Sequence, residues 1–555
     1  MIVYSDRRWA GGPRPRMDAL CAGLAAPRPD AQALLIEAGM LEAGIADALL
    51  PEADDEPPPL GALRALMLDL AHAARGDGSR LRAAAERAAA LARGALPERI
   101  EVVEPEGFAF YALYPDAYAE AARLFLAAER PERAIVVGLR SIGTTLSAVV
   151  AAELEAHGVA VRSLTVRPRG HPWDRELRLA APLRAALAGA EHVLVVDEGP
   201  GISGTSLASA AEAASHAGLP DGRIHLFPSW DADGSGLRSE RARERWGRHR
   251  RWVVPFEAAV LPRLATRWGA GALRDLSGGL WREVACGPGE WPAVQPQHER
   301  RKYLLDNGSG PVLLKFVGLG ERGPRMLTRA QGQAAARLAP QPEGLADGFL
   351  ALRWVEGRPV RASDGEVLDL LGRHLAFTAL DGAPGGPVRF DDILSMTRLN
   401  AAEGLGAEAA SCTGWMERMR ALVEARPTLA VDGRMLPQEV LRTAEGLLKV
   451  DGLDHHDDHF WPGTQDIAWD LAGAMVEFGM GPEARERLLE DFEARTGDRG
   501  ARAVLTFHEA AYLAWRLGYV SLAAEALGGS EDGRRMAGLR DRYGALLGAA
   551  LERGA

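Results

Sequence analysis

The sequence predicts an α/β protein in three parts: a helical N-terminal region, a doubly wound parallel sheet, and a C-terminal α+β half. Three observations carry this. Two short apolar runs rich in β-branched residues, Ala134–Gly138 and Val193–Val196, each pass through a Gly-containing turn into an Ala-rich helix. That repeat of strand, turn and helix builds a parallel sheet. Residues 1 to about 100 keep a helical spacing of apolar residues, as in Leu34–Leu50, broken by the acidic, Pro-rich stretch Glu52–Pro59. Beyond a Pro/Gly cluster at Cys286–Pro292, two strand-like runs flank Asp306–Gly310, good hairpin chemistry. The expected boundaries are 1–100 for the helical region, 101–262 for the parallel sheet, 263–298 for a linker and 299–555 for the last domain.

The chain has 555 residues, 47% of them hydrophobic and 25% charged, with a net charge of -11. An acidic balance argues against a general nucleic-acid binder, whose affinity needs a basic face. Cys21, Cys286 and Cys412 lie far apart without metal-ligand spacing, which suits a reducing compartment, so a cytoplasmic location is expected. No run approaches the ~20 apolar residues of a membrane span, and the N-terminus lacks a signal-peptide core. Small molecules are the expected partners, and a homo-oligomer is left open.

Residues 1–100 carry no evident chemistry and read as a packing cap. Tyr111, Tyr114 and Tyr118 share a helical spacing, the pattern of a packed face. The strand Ala134–Gly138 feeds Leu139-Arg140-Ser141-Ile142-Gly143-Thr144-Thr145 and then a helix. A loop opening a helix aims several backbone N–H groups at one spot, so this is an anion cradle, here with a cation, Arg140. Val159–Val166 is the next strand. The segment Arg167–Glu176 is too polar and Pro-rich for an element and reads as a solvated surface loop bearing Arg167, Arg169, His171 and Arg175. The second cradle follows Val193–Val196: Asp197-Glu198-Gly199-Pro200, then Gly201-Ile202-Ser203-Gly204-Thr205 opening a helix. Two acids suit vicinal hydroxyls and the helix N-terminus suits a phosphate, a pairing that fits a ribose phosphate. Trp230 and Asp231 follow a further strand, Arg223–Phe227, as candidates to stack on and pair with an acceptor base, or as core residues. The basic run Arg238–Arg251, interleaved with Glu240 and Glu244, reads as a solvated helix or an interaction face.

With its two acids and its Gly201–Thr205 loop, this region resembles the type I phosphoribosyltransferases, over about residues 101–262. The resemblance implies that Asp197 and Glu198 hold the ribose diol, that Gly201, Ser203, Gly204 and Thr205 hold its phosphate, and that Leu139, Arg140, Ser141, Gly143 and Thr144 hold pyrophosphate. Phosphoribosyl pyrophosphate with Mg2+ is then the expected substrate, and Arg167–Glu176 takes the place of the mobile lid that closes over it, with Arg167, Arg169, His171 and Arg175 supplying the charge. Ile202 departs from the pattern, standing where the family has a hydroxyl residue.

The last domain reads as a hairpin, Arg301–Leu304 with Pro311–Val317, then a strand ending at Trp354-Val355-Glu356-Gly357-Arg358-Pro359, and then mostly helix apart from Gly446–Asp451. Lys315 in an apolar strand requires an anionic partner. His455 and His459, four apart in His455–His459, are a weaker zinc candidate beside a plain polar cluster. Lys315, the Trp354–Pro359 turn and Gln465-Asp466-Ile467-Ala468-Trp469-Asp470-Leu471-Ala472 together resemble the aminoglycoside-phosphotransferase and choline-kinase group of the protein-kinase-like fold. The resemblance implies ATP on Lys315 and a magnesium ion on Asp451. The catalytic segment departs: Arg434 stands in the place of the catalytic Asp and Glu439 in that of the metal-binding Asn, leaving Asp432 as the candidate base and Glu439 with Asp451 as the metal pair. The expectation is a transferase with a divergent ATP-binding kinase-like domain. The alternative is a non-catalytic, ligand-sensing protein, which Ile202 and Arg434 favour.

Overall fold

The computed structural model describes residues 1–555 except Ser5, Asp6, Ala270, Pro288, Glu290, Asn307, Ser309, 361–365, Pro387, Trp461, Pro462 and Ala555. The chain forms two compact units. One comprises Asp6–Arg267 with Gly318–Arg322; the other comprises Met1–Ser5, Trp268–Val317 and Gly323–Ala555. Among the described residues no helix is long and apolar enough to cross a membrane.

The first unit begins with four helices, α1 (Arg14–Leu24), α2 (Ala31–Leu49), α3 (Pro58–Ala74) and α4 (Arg80–Arg93). Asp30 caps α2, its Oδ1 accepting the amides of Gln32 at 3.1 Å and Ala33 at 3.0 Å. Pro58 opens α3, where a missing N–H costs nothing. Helix α5 (Pro115–Glu129) precedes the first parallel strand, β1 (Arg133–Leu139), which leads into α6 (Ile142–Ala156) and β2 (Ala160–Val166). Then come β3 (Val193–Val196), α7 (Thr205–His216), β4 (Ile224–Phe227) and β5 (Arg250–Arg251). The strand order is β2-β1-β3-β4-β5, all parallel, with Ile135 beside Val193 and Gly138 beside Val196. Every residue of β3 is buried, as its unbroken apolar run requires. Met17, Leu35, Leu41, Leu66 and Leu70 of the N-terminal helices share one core with Ala148, Val149 and Ala152 of α6. The helices therefore cover one face of the sheet layer.

The second unit holds an antiparallel sheet of β6 (Leu273–Asp275), β7 (Lys302–Asp306), β8 (Pro311–Phe316), β9 (Pro342–Ala346) and β10 (Phe349–Arg353), in the order β6-β7-β8-β10-β9. A smaller sheet joins β11 (Arg358–Pro359), β12 (Val440–Thr443) and β13 (Gly446–Lys449). The helices include α8 (Val367–Asp381), α9 (Phe390–Leu405), α10 (Ala468–Glu477), α11 (Pro482–Thr496), α12 (Gly500–Leu527) and α13 (Glu531–Gly554). Helix α12 is buried on nearly all sides, and its Phe507, Tyr512 and Trp515 pack with Phe390 and Trp469 in the main core. The expected β7–β8 hairpin forms, with Lys302 beside Lys315; Asn307 and Ser309 of its turn lie outside the described residues. Residues expected as a linker supply β6, and Arg282 makes two bonds to Asp532 at 2.7 and 3.0 Å.

Close approach of α6 to the sheet depends on glycine. A Cβ on Gly138 would stand 2.2 Å from Ser147 Oγ and 2.4 Å from the Gly143 carbonyl, and one on Gly143 would stand 2.6 Å from the Val196 carbonyl. Because backbone atoms cannot swing aside, Gly138→Ala is expected to destabilise the protein by about 2–3 kcal/mol, read as a lower urea midpoint in equilibrium unfolding.

Candidate functional sites

In a parallel sheet of order 2-1-3-4-5, the chain turns in opposite directions after the first and third strands, and the gap between them at their carboxyl ends is where ligands bind. Here that gap lies between β1 and β3. Both cradles open there. A cavity of about 470 Å³ is lined by Arg140, Ser141 and Ile142 from the first loop, by Asp197–Gly201 and Ser203–Leu207 from the second, and by Ser229 and Trp230.

The second loop follows expectation most closely. Gly201, Ser203, Gly204 and Thr205 all line the cavity. Gly204 caps α7 with φ at +70°, a conformation that suits glycine. Ile202 is 68% exposed, so its departure from the pattern removes a hydroxyl without filling space. Asp197 and Glu198 are half-buried. Burial pushes Asp197 up to about 6, against the Glu198 amide that bonds its carboxylate. Burial, with Asp197 and Glu106 as neighbouring charges, pushes Glu198 up to about 8, and the Gly107 amide bonds its carboxylate. Neither acid forms an ion pair among the described residues. Tyr118, placed by its helical spacing, is buried and donates to the Asp197 carbonyl at 2.8 Å. Tyr114 is also buried, whereas Tyr111 is 40% exposed.

The first loop departs. Only Arg140 and Ser141 of its expected residues line the cavity; Leu139, Gly143 and Thr144 are buried. Ser141 holds φ at +113°, which costs a non-glycine residue about 1–3 kcal/mol. The Arg140 guanidinium, expected as the cradle's cation, is buried against Asp47 at 3.0 Å and against Asp54. Burial pulls Arg140 down to about 10, with Asp47 opposing, so it stays charged at neutral pH.

The N-terminal region, expected to lack chemistry, thus supplies the acids that hold the site's edges. Asp54, fully buried, also accepts the Arg167 amide at 2.9 Å and the Arg169 guanidinium at 2.9 and 3.1 Å. Asp47 pairs with Arg167. Two of the expected lid charges are therefore anchors. The lid is also not irregular: Arg169–His171 and Asp174–Glu176 form an antiparallel hairpin. Its tip reaches the Gly201–Thr205 loop, where Thr205 Oγ1 donates to the Pro172 carbonyl at 2.7 Å. Trp230 is 55% exposed at the cavity, while Asp231 turns away to Arg251 at 2.6 Å. The basic run forms a helix, Glu240–Arg248, whose Arg241 bonds Glu212 and Asp174.

In the second unit, a cavity of about 630 Å³ is bordered by Lys315, Leu352, Trp354 and Val355 on one side, by Glu439, Asp451 and Arg434 on another, and by Tyr519 and Tyr543 beyond. Lys315 finds its anionic partners: Nζ donates to Asp451 Oδ1 at 2.6 Å and Asp454 Oδ1 at 2.7 Å. Burial opposes the charge on Lys315, but the two carboxylates hold its pKa above the ordinary range. Asp432 is fully buried and does not line the cavity. Its Oδ2 lies 2.9 Å from Lys449 Nζ and its Oδ1 3.0 Å from His455 Nδ1. Lys449 also donates to Glu439 Oε2 at 2.9 Å and to the Asp451 carbonyl. Lys449 thus stands between the Glu439 carboxylate and the Asp451 main-chain carbonyl, while the Asp451 carboxylate is held by Lys315; among the described residues Asp432, Glu439 and His455, and likewise Asp451, Asp454 and His455, are grouped closely enough to hold an ion. The side chain of Arg434 makes no hydrogen bond or ion pair among the described residues and borders the cavity.

The Gln465–Ala472 motif has a structural role: Asp470 accepts the amides of Asp432 at 2.7 Å and Gly433 at 2.8 Å. Burial, with Asp432 as a neighbouring charge, pushes Asp470 up to about 7. His455 and His459 do not converge, since His455 faces Asp432 and His459 stacks on Tyr4 with centroids 5.6 Å apart. Sequence reasoning missed Asp47, Asp54, Asp454 and Lys449. Only Lys449 had a local signal, a lysine closing a short apolar strand two residues before Asp451.

No protein-family model matches the sequence, and a search of curated proteins finds no match. Among solved structures, choline kinase LicA from Streptococcus pneumoniae is similar at 12% identity over 53% of this chain and 99% of that chain, with a TM-score of 0.37. A choline/ethanolamine kinase family protein from Mesorhizobium loti is similar at 15% identity over 45% of this chain and 90% of that chain, with a TM-score of 0.34. Macrolide 2'-phosphotransferase MphH from Brachybacterium faecium is similar at 17% identity over 51% of this chain and 97% of that chain, with a TM-score of 0.31.

Two outcomes follow from the charges. Asp54→Ala strands Arg140 and Arg169 without their shared carboxylate, and is expected to cost about 3 kcal/mol or more in urea unfolding. For Glu198, the folded state keeps a proton that the unfolded state releases between pH 4.5 and about 8. Stability therefore falls as pH rises through that window. Glu198→Gln removes the penalty, and its melting temperature should exceed that of the parent by about 3–6 °C at pH 8.5 and by little at pH 4.5, read by scanning calorimetry.

Proposed function

We propose that the parallel-sheet unit binds phosphoribosyl pyrophosphate and transfers its ribosyl phosphate to a small-molecule acceptor. The observation that supports this is the meeting of two cradles and an acid pair at the one gap between β1 and β3. The N-terminal end of α7 faces the phosphate, and Asp197 and Glu198 accept the ribose hydroxyls. As the bond to pyrophosphate loosens, positive charge gathers on the sugar, and the same carboxylates stabilise it. Both acids lack a cation of their own among the described residues, so they also fit a magnesium ion arriving with the pyrophosphate, which would supply charge neutralisation for the leaving group. Trp230, exposed at the cavity, offers a face for a flat acceptor.

The other unit is read as kinase-like and nucleotide-binding, supported by Lys315 on a central strand of its sheet and by the hinge-like Trp354 and Val355 at its cavity. The position of Arg434 and the burial of Asp432 favour binding over phosphoryl transfer in this unit.

Phosphoribosyl pyrophosphate with magnesium should stabilise the full chain by mass action, by about 2.7 kcal/mol at a hundredfold excess over Kd, read as a higher melting temperature. Asp197→Asn with Glu198→Gln should remove most of that shift while circular dichroism stays unchanged. An equal shift in the double variant places the ribose elsewhere. Release of pyrophosphate in the presence of a pool of candidate acceptors tests the transfer itself.

A further inference from the structure

Lys449 ends β13 with its side chain 2% exposed, and its ammonium is ringed by oxygen from three residues: Asp432 Oδ2 and Glu439 Oε2, both at 2.9 Å, and the Asp451 main-chain carbonyl. Two carboxylates and a carbonyl are the ligands that a hard divalent cation takes. The packing around the ammonium is tight. A Cβ on Gly452 would stand 2.5 Å from Asp432 Oδ2 and 3.1 Å from Lys449 Nζ. His455 Nδ1, 3.0 Å from Asp432 Oδ1, closes the other side of that carboxylate. The neighbouring acids are also taken, Asp451 and Asp454 by Lys315.

We propose that Lys449 is a tethered cation standing in for a metal ion, so that this cavity holds its anionic ligand with no divalent ion among Asp432, Glu439 and Asp451. Given the nucleotide-binding reading above, the ligand is a nucleoside polyphosphate bound as the free anion. An ammonium carries half the charge of magnesium, and Lys449, unlike Glu439 and Asp451, is not among the residues that line the cavity. It orders the carboxylates but cannot bridge two phosphate oxygens and follow charge onto a leaving group, as a metal does. Arg434, at the cavity with no hydrogen-bonding partner among the described residues, supplies a cation facing the ligand instead. The site is thereby suited to recognise a polyphosphate and to hold it unreacted.

The test uses Mn2+ alone, followed by electron paramagnetic resonance, on the full chain carrying Asp197→Asn and Glu198→Gln to silence the other acid pair. With Lys449 present, no ion should bind at this cluster below about 1 mM, and adding Glu439→Gln should change nothing. Lys449→Met should create one site that binds at least about tenfold more tightly, and Glu439→Gln should abolish it again. An ion already bound in the presence of Lys449 and lost with Glu439→Gln overturns the proposal. So does a folded Lys449→Met chain that gains no ion. If Lys449→Met does not fold, the two chains that retain Lys449, one with Glu439 intact and one carrying Glu439→Gln, still decide. Equal absence of bound Mn2+ in both supports the proposal, and binding that Glu439→Gln removes overturns it. Calorimetry with ATP in excess EDTA addresses the nucleotide reading separately: absence of heat removes that reading and leaves the Mn2+ result standing, whereas ATP binding that appears only with magnesium overturns the metal-free ligand.

Discussion

A carboxylate taken out of water is stable only when a cation or several N–H groups replace its lost hydration. In the antiparallel-sheet unit this requirement organises the centre of the fold. Asp432, Glu439, Asp451 and Asp454 come from two loop segments, and Lys449 and Lys315 tie them together. Asp470 then holds the Asp432–Gly433 backbone from α10. Removing either lysine would leave adjacent buried anions, so the strands β8 and β13 that deliver them are bound to the cavity by charge as well as by packing.

The same requirement is met differently in the parallel-sheet unit. Its basic side chains are drawn away from the cavity by acids from the N-terminal helices: Asp47 and Asp54 hold Arg140, Arg167 and Arg169. Asp197 and Glu198 are left at the cavity with amide partners alone, and burial raises both toward neutrality. A ligand that brings hydroxyl donors or a cation satisfies them. One unit thus carries acids in want of a partner, and the other carries acids already neutralised by its own lysines. The proposed division, transfer in the first unit and binding in the second, rests on that contrast.

The N-terminal helices gain their role through this division. They cover α6 with apolar side chains, and the turn between α2 and α3 inserts Asp54 beneath the loop that follows β1 and the hairpin that follows β2. A truncation of the helices would therefore disturb the ligand site as well as the core.

Much was legible from residue order. The parallel strands, the helices they enter and the loop Gly201–Thr205 follow from local patterns: β-branched runs for buried strands, glycine where a helix begins at a left-handed residue, and apolar spacing for the N-terminal helices. Lys315 announced a buried anion because an ammonium cannot sit unpaired in an apolar strand. Which anion it meets, and which cation each acid meets, was not legible. Asp54 lies 86 residues before Arg140 in a stretch that reads as an acidic, Pro-rich break between helices, and Asp432 reads as a candidate base until Lys449 is found beside it. Pairing of charges depends on distance in space, and burial then decides whether a pair is worth much or little. The sequence by itself determined which segments become strands, helices and the glycine-containing turns between them, because those depend on near neighbours. Only the tertiary structure decided which acids remain open to a ligand, because that depends on which cations the fold brings within bonding distance.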